Sequence, residues 1–192
     1  MPHNWGKSRA TLANIDRARA DGVDVALDIY PYPGSSTILI PERAELIDDI
    51  RITWSTPHPE CGGRMLADIA AQWGCDRAEA ARRLCPAGAI YFAMDEAEVH
   101  RIFQHERCMV GSDGLPNDRH PHPRLWGSFT RVLGRYVREA ELLTLEAAVA
   151  KMTALPARVF GLADRGRLAV GAWADVVVFD ADTVQDLSLI HI

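Results

Sequence analysis

The sequence predicts an α/β protein, and three observations carry that expectation. A helical pattern opening at Ser8 and closing at Gly22 runs into an apolar stretch at residues 23–29 and then into a loop rich in hydroxyl groups, residues 30–37. A second apolar stretch at 89–94, a helical pattern to about His105 and a third short apolar stretch at 108–111 read as a strand–helix–strand parallel crossover. Near the far end, residues 171–180 include Val176, Val177, Val178 and Phe179, a β-branched and aromatic run that reads as a strand.

Each element has a local reason. Ser8 is placed to cap the first helix, whose apolar positions Leu12, Ile15 and Ala18 keep helical spacing, and Gly22 stops it. The strand at 23–29 ends at Tyr30-Pro31-Tyr32-Pro33-Gly34-Ser35-Ser36-Thr37, where two prolines and a glycine force a loop. Residues 38–63 are irregular, broken by Pro41, Pro57 and Pro59, and belong to an expected insertion over about 38–88 that covers something. Within it, residues 65–73 and 77–84 read as short helices separated by Gly74. Asp95 caps the helix between the strands at 89–94 and 108–111. Ser112-Asp113-Gly114 then opens a loop through Pro123, followed by a helix holding Leu125, Phe129, Val132, Leu133 and Tyr136. Thr144 opens a further helix with Leu145, Ala148, Val149 and Met152 on one face; the chain restarts at Thr153 with Pro156 and stops at Gly161.

Composition excludes several classes. With 192 residues, 48% hydrophobic and 24% charged, the chain has the make-up of a folded globular protein rather than a disordered one. Its net charge of -5, on 21 basic and 26 acidic residues with no long basic run, argues against a nucleic-acid partner. No run of about 18 apolar residues occurs, and Met1-Pro2-His3-Asn4-Trp5 is not a secretory signal, so a membrane role is not expected and a cytoplasmic location is. Cys61, Cys75, Cys85 and Cys108 form no CxxC pair and read as reduced, partly buried thiols. Nothing in the pattern specifies an oligomeric state.

The residue that points most directly to chemistry is Asp113. Between Ser112 and Gly114, just beyond a short apolar strand, it lies where a barrel enzyme places a catalytic group; spacing alone would favour an ordinary cap or turn aspartate. A wider pattern decides between them. Asn4-Trp5-Gly6-Lys7-Ser8, Asp28-Ile29-Tyr30-Pro31-Tyr32 with Ser36-Thr37, Gly111-Ser112-Asp113-Gly114, His122-Pro123-Arg124 and Lys151-Met152-Thr153-Ala154-Leu155-Pro156-Ala157 stand in this order, followed by Gly166-Arg167-Leu168 and the run at 171–180. Together they resemble the N-acyl-D-amino-acid deacylase, or D-aminoacylase, family of the amidohydrolase superfamily over roughly residues 2–186; through the run from Tyr32 to Arg43 and the segment from Arg51 to Met94 the chain most resembles members acting on N-acyl-D-glutamate.

The resemblance implies the C-terminal part of a (β/α)8 TIM-like metal-dependent hydrolase barrel at 1–163, and strands of a small β-sandwich at 164–186. It implies hydrolysis of an N-acyl-D-amino acid, a small-molecule substrate, to a carboxylate and a free D-amino acid. In that chemistry zinc-bound water attacks the amide carbon, the metal polarises the carbonyl, and an aspartate carries the proton to the leaving amine. Asp113 falls on that aspartate. Tyr30 and Ser36 fall on positions that help hold the carbonyl and the substrate carboxylate. Arg43 is the candidate reader of a D-glutamate side chain, since a guanidinium grips a carboxylate through two parallel hydrogen bonds, and His122 and Arg124 are expected to shape the pocket rim. His120 and His122 sit in a proline-rich loop, away from the first-strand His-x-His of the superfamily, and are not expected to hold metal. The family's metal ligands, including a Ser-His-His-Lys motif, precede the Asn-Trp-Gly block. The zinc of the full-length protein is therefore expected to be held upstream of residue 1, none to be held by this chain alone, and Asp113 to serve at most as a weak ligand. On that basis the chain alone is expected to be inactive. Residues 187–192, Leu-Ser-Leu-Ile-His-Ile, read as a non-native tail translated from a sequencing adapter, the alternative being a genuine short strand. Two other readings fit parts of the pattern: a dihydroorotase-like or hydantoinase-like hydrolase sharing the run at 174–178, and a non-catalytic binding module.

Overall fold

A computed structural model describes residues 4–116 and 118–187. Two short parallel strands, β1 (Leu27–Ile29) and β5 (Cys108–Val110), lie side by side with Leu27 opposite Cys108 and Ile29 opposite Val110. Helix α1 (Ser8–Ala20) leads into β1 and α4 (Glu96–Gln104) into β5, so both strands run the same way after a helix. Their core gathers Ile29, Val99, Phe103, Cys108, Val110, Val132, Tyr136 and Ala148. Into it reaches Lys151 of α6 (Leu145–Met152), whose buried ammonium donates to the carbonyls of His105 at 2.6 Å and Cys108 at 3.2 Å. A charge that deep is tolerable because it is hydrogen-bonded to carbonyl oxygens.

Between β1 and β5 the chain builds a second unit. Strands β2 (Ser35–Ile38), β3 (Ile50–Ser55) and β4 (Ala87–Tyr91) form an antiparallel sheet in the order β2-β4-β3. Helices α2 (Leu66–Trp73) and α3 (Arg77–Leu84) accompany it, and the shared core includes Ile50, Ile52, Leu66, Ile69, Leu84, Ala89 and Tyr91. Tyr91 closes the turn after β2, donating its hydroxyl to the carbonyl of Ile38 at 3.0 Å and accepting from the N–H of Ile40 at 2.8 Å. After β5 come α5 (Arg124–Arg131), continued as a π-helix over Val132–Glu139, then α6 and α7 (Ala154–Val159).

Several sequence expectations change here. The stretches at 89–94 and 108–111 are not partners of one crossover: β4 pairs antiparallel with β2 and β3, whereas β5 pairs parallel with β1. Periodicity marks a strand without naming its neighbour. Residues 35–38 and 50–55 form strands where a loop and an irregular segment are expected, so the insertion is an organised sheet with its own core. Lys7, not Ser8, flanks α1; Ser8 is helical and buried, its N–H donating to Glu98 Oε2 at 2.8 Å. Asp95 and Thr144 cap as spacing predicts, accepting from Ala97 N and Glu98 N and from Ala147 N. The run at 171–180 forms no strand, and Val176, Val177 and Val178 are 67, 83 and 92% exposed. β-Propensity expresses itself only against a paired backbone, and this run has no strand partner among the described residues. Leu187 is exposed; the rest of the expected tail, 188–192, and His3 lie outside the described residues. No described helix is long and apolar enough to cross a membrane.

Replacing Tyr91 by Phe removes a hydroxyl that satisfies two backbone groups. Urea denaturation should show a loss of about 1–3 kcal/mol; an unchanged midpoint and slope would contradict the role given to it.

Candidate functional site

Because β1 and β5 are parallel, the segments that leave them emerge on one side. Tyr30 follows β1, and Gly111, Ser112 and Asp113 follow β5, with the Gly111 N–H donating to the carbonyl of Ile29 at 3.0 Å. A Cβ at Gly111 would overlap the carboxylate of Asp28, which would have to move aside. Asp113 itself adopts φ +44°, a left-handed conformation rare for non-glycine residues and tolerated best by Asp and Asn. Such local strain concentrates at functional positions. Gly114 then lets the chain pass close to α5, since a Cβ would meet the Leu125 Cα at 2.9 Å.

The group that organises this mouth is Arg124, the first residue of α5. Its side chain is 2% exposed, and it pairs through Nη2 with Asp113 Oδ2 at 2.8 Å, while Asp113 is 66% exposed. The same nitrogen donates to the backbone carbonyl of Ser36 at 3.2 Å, and the guanidinium carbon lies 4.6 Å from the centre of the Tyr30 ring. That stacking is a cation–π contact in a desolvated setting. Arg124 Nε is buried without a hydrogen-bond partner among the described residues.

His122 stands behind Arg124. Its Nδ1 accepts from the Arg124 backbone N–H at 3.0 Å, so the ring proton is on Nε2, which donates to the carbonyl of Gly34 at 3.0 Å. Burial, with the neighbouring Arg124 charge adding to it, pushes its pKa down to about 3. The Tyr32 ring meets it edge-on at 5.2 Å and the Tyr30 ring at 6.1 Å. Burial raises the pKa of the Tyr30 phenol, keeping it a neutral donor, and its hydroxyl points to Met94 Sδ at 3.8 Å.

The structure thus gathers Asp113, Tyr30, Ser36, His122 and Arg124 around one guanidinium. Ser36 enters this network through its backbone carbonyl. Arg43 lies in the short 3-10 segment Pro41–Glu45, with its guanidinium 5.4 Å from the centre of the ring of Tyr91, which pairs with Ser35 across the sheet. Three residues that sequence reasoning did not single out support the mouth from below. Tyr32 is fully buried and donates to Asp186 Oδ2 at 3.0 Å; Arg131 pairs with the same oxygen at 3.2 Å, donates to the Pro31 carbonyl at 2.7 Å, and stacks 4.6 Å from the Tyr32 ring. The Tyr-Pro-Tyr spacing hints at Tyr32, but Asp186 is 154 residues away and carries no local signal.

Among the described residues no group of three or more His, Cys, Asp or Glu is placed to hold a metal ion. His122 has both ring nitrogens bonded to backbone, and the His120 ring packs against Gly62 and Gly63. What these residues present is an exposed carboxylate paired with a buried guanidinium and a neutral phenol beside it.

The helix-flanked parallel pair, with functional groups beyond the strand C-termini, agrees with the match of residues 76–186 to the amidohydrolase family, and the chain belongs to that family. It is 91% identical over 186 residues to N-acyl-D-glutamate deacylase of Alcaligenes xylosoxydans xylosoxydans. That match takes in 97% of this chain and 38% of the relative, so the chain spans less than two fifths of the relative's length. Its structure matches that of N-acyl-D-glutamate deacylase from Bordetella bronchiseptica, complexed with zinc and a phosphonate mimic of the tetrahedral intermediate, at 83% identity and a TM-score of 0.93 over 97% of this chain and 39% of that one. D-aminoacylase, described with a binuclear metal centre, matches at 52% identity and a TM-score of 0.89 over 96% of this chain and 39% of that one.

The burial of His122 has a pH signature. Its folded pKa of about 3 lies below the ordinary 6.5, so the neutral ring stabilises the fold fully above about pH 6.5, and this stability is lost as pH falls toward 3. Relative to His122→Gln, the unsubstituted protein should lose about 1.4 kcal/mol per pH unit between about pH 6 and pH 4; parallel stability profiles would rule this out.

Proposed function

We propose that this chain supplies the proton-carrying and substrate-carboxylate-binding part of a metal-dependent N-acyl-D-amino-acid deacylase acting on N-acyl-D-glutamate. In this reading β1 and β5 are strands of a (β/α)8 barrel, residues 1–163 its partial barrel, and 164–186 contribute to a β-sandwich. The observation that carries it is an exposed carboxylate, in a left-handed turn beyond a parallel strand, paired with a buried arginine.

Amide hydrolysis requires water to lose a proton and the leaving nitrogen to gain one. A single carboxylate at the reacting centre can do both in turn, and Asp113, tethered through one oxygen, has its other oxygen for this work. Arg124, paired with the exposed Asp113 carboxylate, offers an always-charged guanidinium to the substrate's α-carboxylate. The neutral phenol of Tyr30, stacked on that guanidinium, can donate to a carbonyl oxygen as charge develops there. Arg43 is proposed to read the glutamate side chain. The relatives named above are described with zinc or a binuclear metal centre; the residues described here do not form such a site, and in the whole protein we assign it to sequence outside these residues.

The test is a graft of residues 1–187 in place of the matching segment of the Alcaligenes relative. With zinc supplied it should release D-glutamate from N-acetyl-D-glutamate, and an inactive, folded, zinc-loaded graft would end the proposal. Asp113→Asn in the graft should lower kcat by about 10²- to 10⁴-fold with zinc content unchanged. Arg43→Ala should raise KM for N-acetyl-D-glutamate by about 10- to 100-fold while sparing a substrate with an uncharged side chain; equal effects on both would remove Arg43 from specificity.

A further inference from the structure

We infer that His122 is a positioning residue whose neutral imidazole sets the aim of the Arg124 guanidinium; the functional part of this inference rests on the deacylase reading above. The imidazole has no nitrogen to offer substrate, proton or metal, because Nδ1 accepts from Arg124 N–H and Nε2–H donates to Gly34 O, each at 3.0 Å. What it does hold is the relation between two elements. Gly34 lies one residue before β2 and Arg124 opens α5, and the Arg124 side chain returns to the same strand through the Ser36 carbonyl.

The two side chains therefore clamp one short segment at two carbonyls, Gly34 and Ser36, from a single helix start. Remove the imidazole and the guanidinium keeps its charge but loses the fixed origin from which it reaches Asp113 and the Tyr30 face. The two backbone hydrogen bonds hold the ring in one orientation, and Tyr32 meets it edge-on at 5.2 Å. An arginine that binds a planar carboxylate through a fork depends on angle as well as distance, and a misplacement of about 1 Å at such a group costs about 10²-fold.

Three variants of the graft test this. His122→Leu removes both bonds and should lower kcat/KM for N-acetyl-D-glutamate by about 10- to 100-fold, mainly through KM. His122→Asn puts an amide oxygen where Nδ1 stands and should recover kcat/KM to within about threefold of the parent. His122→Gln reaches the Gly34 carbonyl instead and should stay as poor as Leu. In an Arg124→Ala background, His122→Leu should change kcat/KM by less than about twofold, since a residue acting through Arg124 has nothing left to aim. Crystal structures should show Arg124 leaving the Tyr30 ring in the Leu variant and keeping it in the Asn variant. Additive losses with Arg124→Ala, equal impairment by Asn and Gln, or an unmoved Arg124 in the Leu variant would each overturn the inference. A parent graft that releases no D-glutamate overturns the deacylase reading instead, and the crystal structures then still decide whether His122 aims Arg124.

Discussion

A guanidinium cannot lose its charge at any ordinary pH, so burying one obliges the protein to surround it with partners. Arg124 is such a group, and the mouth of the parallel strand pair is arranged to satisfy it: a carboxylate from the loop after β5, a carbonyl from β2, and an aromatic face from the loop after β1. Those three come from segments 6 to 83 residues apart in the chain, between Tyr30 and Asp113. One buried cation thus ties the parallel pair to the antiparallel sheet.

The two cores explain why the mouth forms where they meet. The small sheet with α2 and α3 is packed around Ile50, Ile52, Leu66 and Tyr91, and the parallel pair around Phe103, Val110 and Tyr136. Neither core contains the charged network. Polar groups that would be costly inside either one are placed at their junction, where Tyr32, Asp186 and Arg131 form a second satisfied set beneath the first.

Sequence reasoning reached the helices readily because their signals are local: Asp95 and Thr144 cap as read, and Leu12, Ile15 and Ala18 keep the period of α1. It missed β2 and β3 because Ser35-Ser36-Thr37 looks like a loop and the prolines around 50–55 mask a six-residue strand; both are strands by virtue of the β4 between them. It mistook β4 and β5 for partners for the same reason, since pairing is a long-range property. The run at 171–180 shows the converse, a strong local β signal with no strand. At the site, the strand–Asp–Gly pattern and the family resemblance drew attention to Asp113, Tyr30, Ser36, His122 and Arg124. Their hierarchy was illegible, because nothing in His122-Pro123-Arg124 announces that the arginine is buried at the centre and the histidine faces backbone on both nitrogens.

Asp113 and Arg124 are paired at the mouth, and the proposed function requires both to face one bound substrate. A crystal structure of the grafted protein with D-glutamate measures this directly. It should show the α-carboxylate of the ligand on the Arg124 guanidinium and the amino nitrogen within about 3 Å of an Asp113 oxygen. A ligand bound away from both residues, with Asp113 turned to solvent, would contradict it.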